Sequence, residues 1–157
     1  MAKTEISKSG YKILKEKRLI IDVYTGNLNL ESFIAHNTTR SVDVDYSKDY
    51  NLFIDVRSVT ITSMLDDVDV YVDYVAEIGK WIGNRKTAVL VTTPNQTIYA
   101  RQFVRLKDKL PQDLQIFTKM DDAVKFFTDE LTGDELEEMI KDIRKDLSLV
   151  FYSESDY

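Results

Sequence analysis

Few folds accommodate the run Asn51–Gly83, NLFIDVRSVTITSMLDDVDVYVDYVAEIGKWIG. It opens on Leu52-Phe53-Ile54-Asp55-Val56, short, β-branched and aromatic, as suits a strand buried on both faces of a sheet. Thr60, Thr62 and Ser63 follow as a polar turn, and from about Ser63 apolar residues recur every three or four positions. Met64, Val68, Val72, Val75, Gly79 and Ile82 form one helical stripe for the core, and Tyr71, Tyr74, Ile78 and Trp81 form a second, displaced one. Strand, turn and long helix make the central half of a βαβ unit, so the chain is expected to build a sheet with helices on it. A helix lying on a sheet needs one apolar stripe. The second therefore asks for a cover, from elsewhere in the chain or from a second subunit.

Upstream, Tyr11–Leu14 and Leu19–Tyr24 read as an antiparallel pair joined by the charged turn Lys15–Arg18, and Gly26-Asn27-Leu28-Asn29 is expected to break the second strand. Asn29 suits the N-cap of a helix from Leu30 to about Val42, with Leu30, Phe33, Ile34 and Asn37 on its inner face. Downstream, Thr87–Thr92 is the next buried strand. Thr93-Pro94-Asn95-Gln96 carries a capping box with proline at the first helical position. Tyr99, Phe103, Leu106 and Leu110 are the buried face of that helix, which Pro111 ends. Leu114–Phe117 is a last strand and Asp121–Leu131 a short helix packing Ala123, Val124, Phe127 and Leu131. A second capping box, Thr132-Gly133-Asp134-Glu135, opens a final helix whose apolar residues Leu136, Ile140, Ile143, Leu147 and Val150 are spaced 4-3-4-3. Two heptads are too few for an independent coiled coil, so this seam docks onto the domain or onto the same helix of a partner. Ser153–Tyr157 is read as a disordered tail, and no repeat or linker marks a domain boundary.

A chain of 157 residues suits one domain. No cysteine is present, which excludes disulfides and thiolate metal sites and suits the cytoplasm. No apolar run reaches the eighteen or so residues that span a bilayer, and the first ten residues lack the apolar core of a signal peptide. The Lys-, Asp- and Tyr-rich composition suits a bacterium. The net charge of -6 repels a phosphate backbone, which argues against nucleic-acid binding. Residues 1–18 reverse that sign, with six Lys/Arg against two Glu, as an edge strand guarded by lysines does.

The chemistry-bearing residues are few. Asp66, Asp69, Asp73 and Glu77 line one side of the long helix, but one straight helix cannot wrap a hard cation, and the line reads as a solvated acidic face. His36 is the only histidine, so any Ser-His-Asp system must use it; helical periodicity turns it outward. Five glycines form neither GxGxxG nor GxxxxGK[S/T], which rules out nucleotide binding by those loops. The start of the Pro94 helix offers backbone N–H groups to an anion, with Arg101 and Arg105 farther along. Asp55 and Arg57 stand at the C-terminal end of the central strand, where α/β folds place their sites.

The order β-β-α-β-α-β-α-β-α plus a C-terminal helix resembles the STAS fold of anti-sigma-factor antagonists, and more closely the SpoIIAA-like proteins of bacteria. Leu52–Val59 resembles the family's strand ending in Asp and a short polar turn, Lys86–Val91 its next core strand, and Phe117–Phe127 its closing strand and acidic helix start. The resemblance covers roughly residues 11–131 and implies a regulatory protein. The family's Asp-Ser-Ser/Thr-Gly phosphorylation motif is not matched: Ser63 stands where its Asp falls and Met64 at the phosphoacceptor, with no glycine after. Thr62 and Ser63 are read as helix caps, and whether either is phosphorylated stays open.

The sequence thus predicts a single α/β domain, a mixed sheet covered by helices of STAS/SpoIIAA-like type over 1–131, with an extra amphipathic helix and tail at 132–157. The expected role is a non-enzymatic regulatory or interaction module, cytoplasmic and homodimeric, that uses no cofactor or metal and has another regulatory protein as a further partner. Its interface would use Tyr71, Tyr74, Ile78, Trp81, Leu136, Ile140, Ile143 and Leu147. The alternative is a binder of a small apolar or anionic ligand in a cleft formed by Asp55, Arg57, Thr62, Ser63, Thr93 and Asn95.

Overall fold

A computed structural model describes residues 7–61, 69–70, 73, 83–105 and 110–155. Five strands lie in sequence order across one sheet: β1 (Lys8–Leu14), β2 (Leu19–Leu28), β3 (Asn51–Ile61), β4 (Lys86–Leu90) and β5 (Asp113–Phe117). β1 is antiparallel to β2 and every other neighbour is parallel. Among the described residues the bounded helices are α1 (Leu30–Ser41), α2 (Pro94–Arg105), α3 (Met120–Phe127) and α4 (Gly133–Ser155). Asp69, Val70 and Asp73 are helical and exposed; the rest of the expected long helix, with Tyr71, Tyr74, Ile78 and Trp81, lies outside the described residues.

Alternation along the strands divides the core between the two sheet faces. Ile20, Tyr24, Leu28, Leu52, Ile54, Val89 and Leu114 point to a first face, covered by Phe33 of α1, by Tyr99, Ala100 and Val104 of α2, and by Tyr46 and Tyr50. Leu19, Ile21, Val23, Phe53, Ala88 and Leu90 point to a second, covered by α3 and α4 through Ala123, Val124, Leu136, Ile140 and Ile143. The seam of the last helix therefore docks onto its own domain. Gly10 makes the close approach possible, since a Cβ there would lie 2.9 Å from Ile143 Cγ2.

The charged turn between β1 and β2 forms at the expected residues, and three other local expectations change. The turn between β1 and β2 is a single 3₁₀ turn, Lys15–Lys17, closed by Arg18 in the left-handed region at φ 52°. β2 does not stop at Gly26 but runs on to Leu28. Gly26 takes φ 78°, which glycine adopts without strain, and pairing continues from Gly26↔Val59 to Leu28↔Ile61. Just before it Val23 pairs with Asp55 but Thr25 with Ser58, so β3 carries one extra residue, a bulge at Val56-Arg57. The bulge shifts the alternation of β3, which puts Val56, Val59 and Ile61 all on the first face. The expected polar turn at Thr60 is thus strand. At the other end, α4 is helical through Ser155, past the expected start of a tail.

Candidate functional site

Asp55 lies mid-strand on the second face and is fully buried. Its carboxylate accepts from the backbone N–H and Nε of Arg57, both at 3.0 Å, from Arg57 Nη2 at 3.1 Å and from Arg144 Nη2 at 2.7 Å. Arg57 also donates to Glu137 at 3.0 Å, so two residues of α4 are tied to the bulge of β3. Burial alone would lower the Arg57 guanidinium, but Asp55 and Glu137 outweigh it and push it above its ordinary value. The four charges cancel, and Arg57, Glu137 and Arg144 remain a quarter to a third exposed.

Beyond the end of β4, side chains replace strand pairing. Gln96, buried in the first turn of α2, donates from Nε2 to the carbonyls of Val59 (3.0 Å) and Arg57 (3.2 Å). Its Oε1 accepts from the N–H groups of Thr92 (2.8 Å) and Thr93 (3.2 Å), while Thr93 Oγ1 accepts from Gln96 N–H, as the capping box requires. Asn95 Nδ2 donates to the Ile61 carbonyl at 3.4 Å. Replacing Gln96 by alanine strands two carbonyls and two amides, and is expected to cost about 1–3 kcal/mol in a urea titration. A loss below a few tenths would mean that water replaces the side chain without penalty.

The cleft expected from sequence is therefore not one cleft among the described residues. Asp55 and Arg57 face α4, whereas Asn95 and Gln96 reach β3 from α2 on the first face, with the sheet between them. Thr93 is exposed at the α2 N-terminus, and Thr62 and Ser63 lie outside the described residues. Among the interface candidates, Leu136, Ile140 and Ile143 are buried and Leu147 packs beside them, so within this fold the chain itself covers them.

A second polar centre was not legible in the sequence. The inner face of α1 is Phe33, His36, Asn37 and Arg40, and His36 points inward rather than out. Beneath it Asp22 of β2 is fully buried, ion-paired through Oδ2 to Arg40 Nη1, with its Oδ1 3.1 Å from His36 Nε2. Arg40 also donates to Asn37 Oδ1 at 2.7 Å. Burial alone would raise the Asp22 carboxyl; Arg40 first, then His36 and Arg85, overcome it and hold the group below the ordinary carboxylate value. Arg85, itself buried, has its guanidinium lowered by desolvation, against the support of Tyr46. A cavity of about 70 Å³ adjoins Asp22 and Arg85, lined mainly by apolar side chains such as Phe33, Leu52, Ile54 and Tyr99. Among the described residues, no group of three acidic or histidine side chains is placed to hold a metal ion.

No protein-family model matches the sequence, and no curated protein matches it significantly. Solved structures do match the fold. An uncharacterised Shewanella loihica PV-4 protein of the DUF3478 family, with a SpoIIAA-like fold, is 13% identical with a TM-score of 0.52; the match covers 82% of this chain and 98% of that one. An anti-sigma factor antagonist from Mycobacterium paratuberculosis is 14% identical with the same TM-score, over 81% of this chain and 98% of that one. The chain thus has a STAS/SpoIIAA-like α/β fold, a mixed five-stranded sheet with helices on both faces, as the order of its elements predicts. No helix among the described residues is long and apolar enough to cross a membrane.

Proposed function

We propose that this chain is a regulatory protein-interaction module of SpoIIAA-like type, homodimeric, acting in the bacterial cytoplasm without a standard phosphoserine switch. The observation that carries this reading is the match of its sheet and helices to nearly the whole length of an anti-sigma factor antagonist. The second apolar stripe, Tyr71, Tyr74, Ile78 and Trp81, supplies the partner surface. Native mass spectrometry of the freshly purified protein is the test, and a dimer without added mass is expected. Exchanging Tyr74 and Trp81 for polar residues is expected to leave a folded monomer; an unchanged oligomer would sink this interface.

The cavity beside Arg85 favours a second reading, a small apolar or anionic ligand. At about 70 Å³ it is a fraction of the roughly 300 Å³ from which ligand pockets start, so this reading ranks below the first. A reproducible non-protein mass carried in the native spectrum would reverse that order.

A further inference from the structure

His36, the only histidine of the sequence, stands between a serine and an aspartate. Ser9 Oγ is 2.8 Å from His36 Nδ1, and His36 Nε2 is 3.1 Å from Asp22 Oδ1. Three separate elements, β1, α1 and β2, bring the three groups together. The imidazole is held between the rings of Tyr11 and Tyr24, at centroid distances of 6.0 and 4.6 Å. Arg40 occupies the other oxygen of Asp22 and keeps that side chain a carboxylate. With its proton on Nε2 the ring faces Asp22, and Nδ1 accepts the Ser9 hydroxyl proton. This is the order nucleophile, base, orienting carboxylate, with the two ring nitrogens exchanged relative to the serine-protease arrangement. The contact to Asp22 is close but not aligned as a hydrogen bond. Such contacts often tighten only when substrate binds.

The serine is also reachable. Ser9 is half-buried, and with His36 it lines a groove of about 380 Å³ between β1 and α1. Ser7 and Thr39 add hydroxyl groups to the walls, and Ala35 an apolar patch. No strand lies beside the outer edge of β1 among the described residues.

The geometry points to an activated-serine centre for acyl transfer from small carboxylic esters: Ser9 the nucleophile, His36 the general base, Asp22 the positioning residue. Ser9 Oγ bonds to the ester carbonyl carbon as its proton passes to His36 Nδ1. The carbonyl electron pair moves onto oxygen and then returns, breaking the bond to the leaving alkoxide, which takes the proton from His36. Water, deprotonated by the same nitrogen, then releases the acid from Ser9 by the same two steps. This activity would be additional to the interaction role and does not depend on it.

The test is labelling of the full chain with a fluorophosphonate, read by intact mass and peptide mapping, with circular dichroism on each variant. One adduct is expected, on Ser9. It should be absent in Ser9→Ala, slowed about 100-fold in His36→Gln, the lower range for loss of a general base, and unchanged in Ser58→Ala, which alters an exposed serine elsewhere. Should His36→Gln fail to fold, His36→Asn decides, with the same loss of rate expected. Asp22→Asn, which keeps the shape of the orienting side chain and removes its charge, should lower the maximal labelling rate of the folded chain without changing the reagent concentration that gives half of it, which a merely structural role would not do. No adduct, an adduct on another residue, or a folded His36→Gln or His36→Asn labelled at the wild-type rate would each overturn the assignment.

Discussion

Replacing Arg40 by alanine is expected to cost about 3–5 kcal/mol of folding stability, the range for removing one partner of a buried ion pair. A domain of this kind holds only about 5–15 kcal/mol in total, so the variant should unfold at much lower urea. Asp22 and Arg40 are both fully buried, and without Arg40 the carboxylate keeps its desolvation penalty while losing its main compensation. Because the folded-state value of Asp22 is depressed, its contribution is fully present above the ordinary carboxylate value of about 3.9. It drains away as the pH falls through the lower folded value. Loss of Arg40 lets burial raise the carboxyl again, so the gap between wild type and variant should narrow on acidification. A double variant, Asp22→Leu with Arg40→Met, is expected to recover much of the loss, since a buried pair exchanged for apolar groups is often neutral or better. A cost below about 1 kcal/mol for Arg40→Ala would mean that water reaches Asp22.

Ile140→Ala is expected to cost about 2–5 kcal/mol, the range for emptying a buried aliphatic site. Ile140 is fully buried on α4, among Leu136, Ile143 and the residues of α3, against the second face of the sheet. If the heptad seam served a subunit contact instead, the truncation would change the oligomer and leave the unfolding midpoint of the protomer nearly unmoved. Chemical denaturation at two protein concentrations separates the two results. A midpoint that shifts equally at both is the expected one.

The features that could be read from sequence were those written within four residues of one another. The capping boxes Thr93/Gln96 and Thr132/Glu135 form as spaced, because cap and helix are the same few residues. Asn29 caps α1 for the same reason, accepting from Ser32 N–H at 2.8 Å. Strand identities were legible in the same way, from short β-branched runs. The length of β2 and β3 was not. Gly26 looks like a break in isolation, and only the partner strand with its bulge shows that pairing continues. Helix periodicity measured by apolar residues alone turns His36 outward. The inner face of α1 is largely polar, and what makes it inner is Asp22, contributed by a different strand. At the β3 bulge, Asp55 and Arg57 are two residues apart and could be suspected as a pair. Glu137 and Arg144 are 80 and 89 residues away from their partners, and nothing local announces them.

The packing of α4 across β1 has a consequence for synthesis on the ribosome. Ile143 rests on Gly10, so an element translated more than a hundred residues after β1 closes over it. β1 to β3 can assemble as they emerge, because each pairs with its successor in the chain. Until α3 and α4 follow, however, Leu19, Ile21, Val23 and Phe53 have no cover on the second face. A nascent chain halted before Met120 would therefore present a bare apolar sheet, the kind of surface that chaperones bind and that aggregates form from.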